Sequence, residues 1–346
     1  MEFALTDDQR MMQESVGRTL ERVSSLDAVR RGDSAFEALK ALAVPGIMIP
    51  EEHDGQGLHL LEAALVAEQL GRHVARMPFL GSAVMAPLAL RGTSWLEKLA
   101  RGEIAAGVAI SEHAAGARDG AGVALRNGKL EGSTLFVLDF EADVYVVAER
   151  NGALYLVSAA AKGLTRTLLP TIDATRSIGK LEFDRVEAEP LNAPPGTLAR
   201  MIDAGRIVLA ADTLGAAERM LEKAVAYSKE RKQFDRVIAS FQAVKHLCAE
   251  LAAEIEPARA LVWYAAYAFE ALPEESRRLA AHAKAHLSEI GPFVARTATE
   301  VHGGIGFTDL LGLHYWFKRI GFNRQILGGP ERVRDDAARA QGWLGN

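Results

Sequence analysis

The sequence predicts an α+β protein in which helical N-terminal and C-terminal domains flank a middle β domain. Apolar residues recur at helical spacing in the first and last parts of the chain, whereas in between they alternate at a period of two. The 346 residues are 49% apolar and 25% charged, which is typical of a globular chain with a large core. We expect three domains, at residues 1–103, 104–195 and 196–346.

The N-terminal domain is predicted from two capping signals and the helical spacing between them. Residues 6–9 read Thr-Asp-Asp-Gln, a capping box that begins a helix, and residues 94–97, Ser-Trp-Leu-Glu, repeat the device. After the first box, apolar residues follow at steps of three and four: Met12, Val16, Leu20 and Val23. Residues 60–71 predict a further helix, and residues 71–87, which contain glycine and proline, predict a connection.

The middle domain is predicted from short segments with alternating apolar residues. Turn dipeptides such as Asn127-Gly128 and Asn151-Gly152 separate them, which favours hairpins and an antiparallel sheet. The predicted strands cover residues 107–111, 122–126, 135–138, 144–147, 154–157 and 181–186. Three prolines and a glycine then predict a linker: Pro190, Pro194, Pro195 and Gly196.

Helical spacing returns after the linker and continues to the end of the chain, which predicts a C-terminal helical domain. Two apolar series recur at helical steps: Val244, Leu247, Leu251 and Ile255, then Leu287, Ile290, Val294 and Val301. Pro257 and Pro292 interrupt these series, and each is predicted to be a kink or a helix start.

Composition and charge exclude several classes of function. Forty basic and 45 acidic residues give a net charge of -5 without a basic stripe, so nucleic acid is not an expected partner. The longest uncharged run, residues 77–90, is too short to cross a bilayer, and the first residues show no secretory signal. Cys248 is the single cysteine, which excludes an internal disulfide and multi-cysteine metal sites. We therefore expect a cytoplasmic protein without a membrane partner.

Two motifs in the C-terminal part combine charged, aromatic and glycine residues. Residues 230–234 read Glu-Arg-Lys-Gln-Phe and are followed by Gln242, a pattern that alone fits a solvated helix end with a core phenylalanine. Residues 300–307 read Glu-Val-His-Gly-Gly-Ile-Gly-Phe, and a helix C-cap followed by a turn explains most of that motif. Neither motif is a dinucleotide-binding fingerprint, because no strand precedes the glycines.

Taken together, the motifs and the order of elements resemble the flavin-dependent acyl-CoA dehydrogenase family. The resemblance covers nearly the whole chain, including residues 6–23, residues 42–57, the β middle and the C-terminal motifs. It implies an acyl-CoA dehydrogenase-like fold with an N-terminal helical domain, a middle β-barrel domain and a C-terminal four-helix bundle. It also implies FAD at a subunit interface, an acyl-CoA substrate stacked against the flavin, and electron-transfer flavoprotein as the electron acceptor.

The resemblance assigns five residues to FAD held by a neighbouring subunit. In the family, an arginine, a phenylalanine and a later glutamine reach the adenosine diphosphate half of that FAD, and by match these are Arg231, Phe234 and Gln242. A forked, permanent positive charge suits the pyrophosphate oxygens. The glycine-rich motif contributes Glu300 and Gly304 to the same FAD, although Glu300 stands where the family usually has glutamine.

The catalytic base of the family has no counterpart at the matching positions. The family reaction needs a carboxylate that takes an α-proton while the β-hydrogen leaves as hydride to the flavin. By match the base position is Gly328 or, in a second subgroup, Gly205 immediately before Arg206, so the catalytic residue is unknown. A missing general base costs about 10²- to 10⁴-fold in rate. Glu331 and Asp203 do not occupy base positions, and each is interpreted as a surface or CoA-contacting residue first.

The residues that match the flavin-ring site in the β domain also differ from the family. A Thr-Glu-Pro motif appears here as Ser111-Glu112-His113, and Trp-Ile-Thr appears as residues 136–138, Phe-Val-Leu. Leu138 offers no hydroxyl to the flavin. For both Phe136 and Leu138, a position in a strand core is the favoured interpretation. Gly328 still has the backbone N–H that polarises the thioester carbonyl. Substrate contacts are assigned to three residues: Ser111, Asp203 and Arg206. Arg206 fits equally well as a helix residue that pairs with a local acid.

Other chemistries are weakly indicated. His302 and His314 are twelve residues apart without an acidic or cysteine companion at ligand spacing, so no metal site is expected. Ser240 and Ser111 lack a nucleophile elbow.

Residues for a neighbour's FAD are kept, whereas residues for chemistry in the chain's own pocket are altered. This asymmetry favours a heteromer, in which a related acyl-CoA dehydrogenase subunit supplies the base and the flavin-ring contacts. The relatives that are organised in this way act on CoA thioesters of steroid side chains and other bulky acids. Two alternatives stay open: a homo-oligomeric acyl-CoA dehydrogenase with an unrecognised base, and a flavin-free lyase, hydratase or structural partner on the same fold.

Overall fold

The computed structural model describes residues 4–344 of the chain. Helices occupy the first third, a curled sheet occupies the middle and long helices occupy the remainder, which confirms the predicted fold class. Residues 1–3 and 345–346 lie outside the described residues, and the expected absence of a secretory signal falls partly on them. The domain limits at residues 103 and 195 stay predictions.

Six α-helices form the first part of the chain, counted from residue 4 onward. Their bounds are α1 Asp7–Val23, α2 Leu26–Arg31, α3 Phe36–Lys40, α4 Leu60–Arg72, α5 Ala86–Ala89 and α6 Trp95–Ala100. The capping box of α1 is confirmed, because the Gln9 N–H donates to Thr6 Oγ1 at 3.2 Å and the Thr6 N–H donates to Gln9 Oε1 at 3.0 Å. The second capping box is wrong, since the Ser94 backbone is already helical and its side chain caps nothing.

The segment predicted as a connection after α4 contains a buried turn of π-helix. This turn, Leu80–Met85, continues directly into α5. The carboxylate of Asp139, in the β domain, accepts the Gly81 and Ser82 N–H groups at 2.7 and 3.1 Å. A residue distant in sequence thus caps the turn, which is why glycine and proline content alone misidentified the segment.

The middle part is an eight-stranded sheet with a short helix, α7 Ser111–Ala115, after its first strand. The strands are β1 Ala106–Ala109, β2 Gly122–Arg126, β3 Lys129–Leu138, β4 Val144–Ala148, β5 Leu154–Ser158, β6 Leu164–Leu168, β7 Ile178–Val186 and β8 Glu189–Pro190. Their order is β6-β7-β3-β1-β4-β5-β8, with β2 beside β3. Six strands, β1 to β5 and β7, were predicted from alternation, whereas the exposed edge strand β6 and the two-residue strand β8 were missed.

The prediction of a purely antiparallel sheet is wrong for one pair of strands. β1 runs parallel to β4, with Ala106 opposite Val144 and Ala109 opposite Val147. The chain leaves β1 through α7 and forms the β2–β3 hairpin before it returns, so the pair is joined by a crossover rather than by a hairpin. Periodicity within a strand reports its faces and does not report the direction of its neighbour.

Up to residue 344, the C-terminal part consists of five α-helices, two short 3-10 turns and a small hairpin. The helices are α8 Thr197–Glu230, α9 Gln242–Ala271, α10 Pro273–His302, α11 Leu313–Gln325 and α12 Pro330–Ala340. The hairpin between α8 and α9 pairs β9 Lys232–Gln233 with β10 Arg236–Val237. Pro257 and Pro292 lie inside α9 and α10. The long helices α8 and α10 pack against each other, and α8 also packs against α4.

In residues 4–344, no helix combines the length and the apolar character that crossing a membrane requires.

Candidate functional site

The residues of the first motif, which the family resemblance assigns to FAD, lie on and beside the small hairpin after α8. Phe234 and Asp235 both have positive φ, 51° and 61°, which gives a tight two-residue turn between β9 and β10. The Phe234 side chain is 87% exposed and meets the edge of the Phe241 ring at 6.1 Å between centroids. Arg231 is exposed at the end of α8, and its guanidinium has no hydrogen-bond or ion-pair partner within residues 4–344.

The glycine-rich motif lies at the same end of the helical bundle as this hairpin. The Tyr227 ring, on the last turn of α8, stacks on the His302 ring at 4.8 Å between centroids. The carbonyl of the same tyrosine accepts the Arg231 N–H at 2.9 Å, which ties the hairpin to the end of α10. Glu300 is exposed on the last turn of α10, and a Cβ on Gly304 would meet open space.

Gln242 completes this exposed end. It is the first residue of α9 and is exposed, and a 3-10 turn, Ile238–Ser240, links it to the hairpin. The Ile238 N–H donates to the Arg231 carbonyl at 2.8 Å, so the turn is fixed to the end of α8. The structure therefore places all five matched residues at one exposed end, which we call the nucleotide end: Arg231, Phe234, Gln242, Glu300 and Gly304.

A second group of matched residues surrounds Arg206 in the interior. Its guanidinium, on α8, is 2% exposed and donates to the Leu327 carbonyl at 3.0 Å and to the Ala114 carbonyl at 3.4 Å. It also forms an ion pair with Asp336 on α12, at 2.6 Å between Nη2 and Oδ2. Arg206 thus joins α8 to α7, to α12 and to the segment that follows α11. We call this place the inner cleft.

Both matched base positions lie in the inner cleft. Gly328 has a φ of 103°, and its N–H has no acceptor within the described part of the chain. A Cβ on Gly328 would lie 3.3 Å from Arg206 Nη2. A Cβ on Gly205 would lie 2.5 Å from Leu327 Cδ1 and 2.9 Å from Met85 Sδ, so a side chain there needs its neighbours to move. The two positions differ, because 328 is beside a cation whereas 205 is filled by apolar atoms.

The Ser111 side chain lies at the start of α7 and is buried. Its Oγ donates to the Phe136 carbonyl at 2.9 Å. Next to it, the Glu112 carboxylate accepts the Thr134 hydroxyl and the Leu135 N–H, both at 2.7 Å. Phe136 has a φ of 54° and lines a cavity of about 260 Å³ with Ser111. Leu138 is buried in the core, in agreement with the strand-core interpretation of this residue.

Asp203 and Glu331 have different surroundings. Asp203 is buried on α8 without a hydrogen bond in the described residues, and burial raises the pKa of its carboxyl to about 6, although Arg277 and Arg206 act in the opposite direction. Glu331 is 77% exposed at its side chain and lies 3.7 Å from Arg324. The structure therefore brings Asp203 close to the charges of the inner cleft and leaves Glu331 on the surface.

Lys284 and Asp336 were not identified from the sequence. Lys284 is buried on α10, and its Nζ donates to the carbonyls of Asn323, Arg324 and Gly328 at 2.8, 3.0 and 3.2 Å. Burial, with the repulsion of nearby arginines, lowers the pKa of Lys284 to about 7. A lysine flanked by alanines in an otherwise apolar helix stripe was the one available signal for it.

The side chains considered for other chemistries have structural contacts. His302 Nδ1 lies 2.7 Å from the Ala298 carbonyl, and His314 Nε2 lies 3.4 Å from an Asp309 oxygen. The Ser240 hydroxyl donates to the Val237 carbonyl at 2.7 Å. Across the described range, no group of three or more His, Cys, Asp or Glu residues could hold a metal ion.

Comparisons with known proteins give consistent matches. The family model described as "Acyl-CoA dehydrogenase, N-terminal domain" matches residues 6–111, and "Acyl-CoA dehydrogenase, C-terminal domain" matches residues 197–341. A relative from Mycobacterium tuberculosis, "Acyl-CoA dehydrogenase IpdE2", is 32% identical over 94% of this chain and 95% of its own length.

Two solved structures have the same fold. The structure described as "Tcur3481-Tcur3483 steroid ACAD G363A variant" has a TM-score of 0.87 and 26% identity, over 97% of this chain and 98% of its own. The "ChsE4-ChsE5 complex from Mycobacterium tuberculosis" has a TM-score of 0.89 and 24% identity over the full length of both chains. The second likeness bears on the fold alone.

Proposed function

This chain belongs to the acyl-CoA dehydrogenase family, whose cofactor is FAD, and we propose that it is one subunit of a hetero-oligomeric acyl-CoA dehydrogenase. In this proposal it completes the FAD site of a related subunit, which holds the catalytic base. The reaction of the complex is α,β-desaturation of an acyl-CoA thioester, an oxidoreductase reaction. When bound, FAD supplies the acceptor for the hydride.

The contrast between Arg231 and Gly328 is the observation that supports this proposal most directly. Arg231 is an exposed guanidinium without a partner in the described chain, whereas position 328 has no carboxylate. A surface arginine can form forked hydrogen bonds to pyrophosphate oxygens, and a projecting phenylalanine can lie against an adenine. The open space at Gly304 permits close approach of a ligand to the backbone. The nucleotide end therefore fits FAD held mainly by another subunit.

The inner cleft of this chain has a group that can polarise a thioester carbonyl, but no carboxylate at either matched base position. The free Gly328 N–H can donate to a thioester carbonyl, and the Lys284 ammonium holds the carbonyl of the same residue. The Gly328 N–H is not a base, and the Lys284 Nζ is directed at three backbone carbonyls, so we assign proton abstraction to the partner subunit. Ser111, Asp203 and Arg206 stay our candidates for contacts with the CoA thioester.

The substrate class and the acceptor are proposed from the relatives. The match to a solved structure described as a steroid acyl-CoA dehydrogenase, with two protein names, supports a bulky acyl group such as a steroid side chain and a partner of the same family. We propose electron-transfer flavoprotein as the electron acceptor and the cytoplasm as the location, as expected from the sequence.

A second candidate function is a homo-oligomeric acyl-CoA dehydrogenase with an unusual base. Asp203 favours it, because this buried carboxyl has no hydrogen bond within residues 4–344 and burial raises its pKa to about 6. A base whose pKa lies near neutral is suited to proton abstraction. Against it, the nearby charges of Arg277 and Arg206 stabilise the ionised form of Asp203 and so weaken it as a base.

The decisive experiment measures flavin per chain, with and without a co-expressed related subunit. We expect little flavin in the chain purified alone, and a yellow complex with fewer flavins than chains that reduces a dye on addition of acyl-CoA. In the complex, Arg231→Ala should lower the flavin content, whereas Arg126→Ala, an exposed arginine on the β2–β3 hairpin, should not. A full complement of flavin and activity in the isolated chain would overturn the proposal, and a folded, flavin-free chain in every combination would favour the lyase or structural alternative.

A further inference from the structure

We propose that Asp336 has taken over the negative charge that a base at position 328 would supply, and that it holds Arg206 as a charge-balanced bridge across the inner cleft. The inference rests on the proposed function in one respect only, which is that position 328 is the vacated base position. It concerns the chain's own pocket and does not depend on the partner subunit.

The geometry places the two positions around one guanidinium. Asp336 Oδ2 lies 2.6 Å from Arg206 Nη2, and a Cβ on Gly328 would lie 3.3 Å from the same nitrogen. That Cβ would also lie 3.2 Å from the Ala114 carbonyl oxygen, which accepts a hydrogen bond from Arg206. A carboxylate on a side chain at 328 would thus compete with Asp336 for the same cation.

Burial explains why a carboxylate is needed here. Arg206 is almost completely buried, and a buried charge without a partner is strongly destabilising. A second cation, the Lys284 ammonium, binds the Gly328 carbonyl a short distance away. With glycine at 328, the Arg206 guanidinium has no carboxylate partner other than Asp336 in residues 4–344. Asp336 lies in α12, which begins at Pro330, so the carboxylate that pairs with Arg206 comes from a different element than position 328.

Both oxygens of Asp336 are engaged by arginines. Oδ2 binds Arg206, and Oδ1 lies 3.4 Å from Nε of Arg332, which is one helical turn away on α12. Only 14% of the Asp336 side chain is exposed. Because both of its oxygens face arginines, Asp336 is a positioning residue that holds Arg206 and is not a substitute for the base.

The test compares glutamate with glutamine at position 328 in two backgrounds. Gly328→Glu and Gly328→Gln introduce the same volume and the same backbone strain at a φ of 103°, so their difference isolates the charge. Each is made in the full chain with Asp336 present and with Asp336→Asn. Thermal unfolding midpoints are measured in one buffer at one scan rate. As a matched control, the same two substitutions at 328 are also made in an Asp335→Asn background, because Asp335 is the exposed neighbour of Asp336.

The expected result is a reversal of sign. With Asp336 present, glutamate at 328 should unfold at a lower temperature than glutamine, because two carboxylates then share one guanidinium. In the Asp336→Asn background, the Gly328→Glu variant should unfold at a higher temperature than the Gly328→Gln variant. The Glu-minus-Gln difference in unfolding midpoint should change by at least about 3 °C between the two backgrounds. In the Asp335→Asn background, the Gly328→Glu variant should still unfold at a lower temperature than the Gly328→Gln variant. The same glutamate–glutamine difference in both backgrounds would overturn the inference.

A second measurement covers the case in which the Gly328 variants do not fold. Arg206→Met and Asp336→Leu are each made alone and together, and the double variant should unfold at a higher temperature than either single variant. A double variant less stable than both single variants would contradict the pairing. Neither measurement needs flavin or a partner, so its failure is distinguishable from failure of the proposed function.

Discussion

Two arginines, one within α8 and one just after its C-terminal end, differ in their surroundings: the first is buried and the second is exposed. Arg206, in the first half, is buried and donates to two carbonyls and a carboxylate from three other elements. Arg231, immediately after the helix, is exposed and has no partner for its guanidinium in the described chain. The first half of α8 packs inside the molecule, whereas its end projects the hairpin outward.

We interpret this difference as one between residues that stabilise the fold and residues that are available to bind a ligand. The Arg206 guanidinium is buried and is held by a carboxylate and two carbonyls of its own chain, so its removal should be costly for folding. The Arg231 guanidinium has no such partner in the described chain, so its removal should be costly for ligand binding only. Four substitutions, three in the interior and one at the nucleotide end, test this comparison between buried and exposed residues. Their expected effects on stability decrease in the order given.

The largest effect is expected for Arg319→Met on α11. Arg319 is buried and binds Asp212 of α8, at 2.6 Å between Nη2 and Oδ2. Burial alone would raise the pKa of Asp212, but Arg319 and Arg176 hold it below its ordinary value. Removing one partner of such a buried pair should lower the free energy of unfolding by about 3–5 kcal/mol in denaturant titrations. Arg219→Met, on the exposed side of α8, should change it by less than about 0.5 kcal/mol.

The next effect is a pH dependence that comes from Lys284. Burial lowers the pKa of Lys284 to about 7 in the folded chain, against 10.5 as its ordinary value. Below pH 7 both states bind the proton, whereas between pH 7 and 10.5 only the unfolded state does, so stability rises with pH in this window. Wild type should gain about 2 kcal/mol over Lys284→Met between about pH 7 and pH 9. An unchanged gap between the two proteins would contradict this, and Lys245→Met, at an exposed position, is the control.

Gly205→Ala tests whether the inner cleft is filled. Its Cβ would lie 2.5 Å from Leu327 Cδ1, and the overpacking should outweigh the better helix propensity of alanine. The expected net loss is about 1–2 kcal/mol in the free energy of unfolding. Leu327→Ala in the same chain should recover part of the overpacking cost. Gly304→Ala, at the nucleotide end, should be nearly neutral, because its Cβ meets open space.

The smallest effect on stability is expected for Phe234→Ala. The ring is 87% exposed, so its loss should change the free energy of unfolding by less than about 0.5 kcal/mol. The same variant should reduce the flavin content of the complex with the partner subunit, measured by absorbance. Met11→Ala, an exposed apolar residue on α1, should leave both quantities unchanged. A stability loss without a flavin loss would assign Phe234 to folding.

Much of the fold could be predicted because its signals are local. The capping box of α1 and the strand alternation depend on residues a few positions apart, and both are present in the structure. The presence of glycine at positions 205 and 328 was also read directly from the sequence, because the residue type at a position matched to the family requires no structure. The π-turn before α5 was missed because its cap, Asp139, lies more than fifty residues later in the chain.

The sequence by itself predicted the succession of a helical, a β and a second helical part. It also identified the arginine, phenylalanine and glutamine that the family resemblance assigns to a nucleotide, and the glycines at 205 and 328 where that resemblance expects a base. Only the tertiary structure showed that β1 runs parallel to β4, that Lys284 binds the Gly328 carbonyl, and that Asp336 neutralises Arg206. The physical reason is distance along the chain. Periodicity and capping act between near neighbours, whereas the pairing of buried charges is decided by elements that meet only when the whole core is packed.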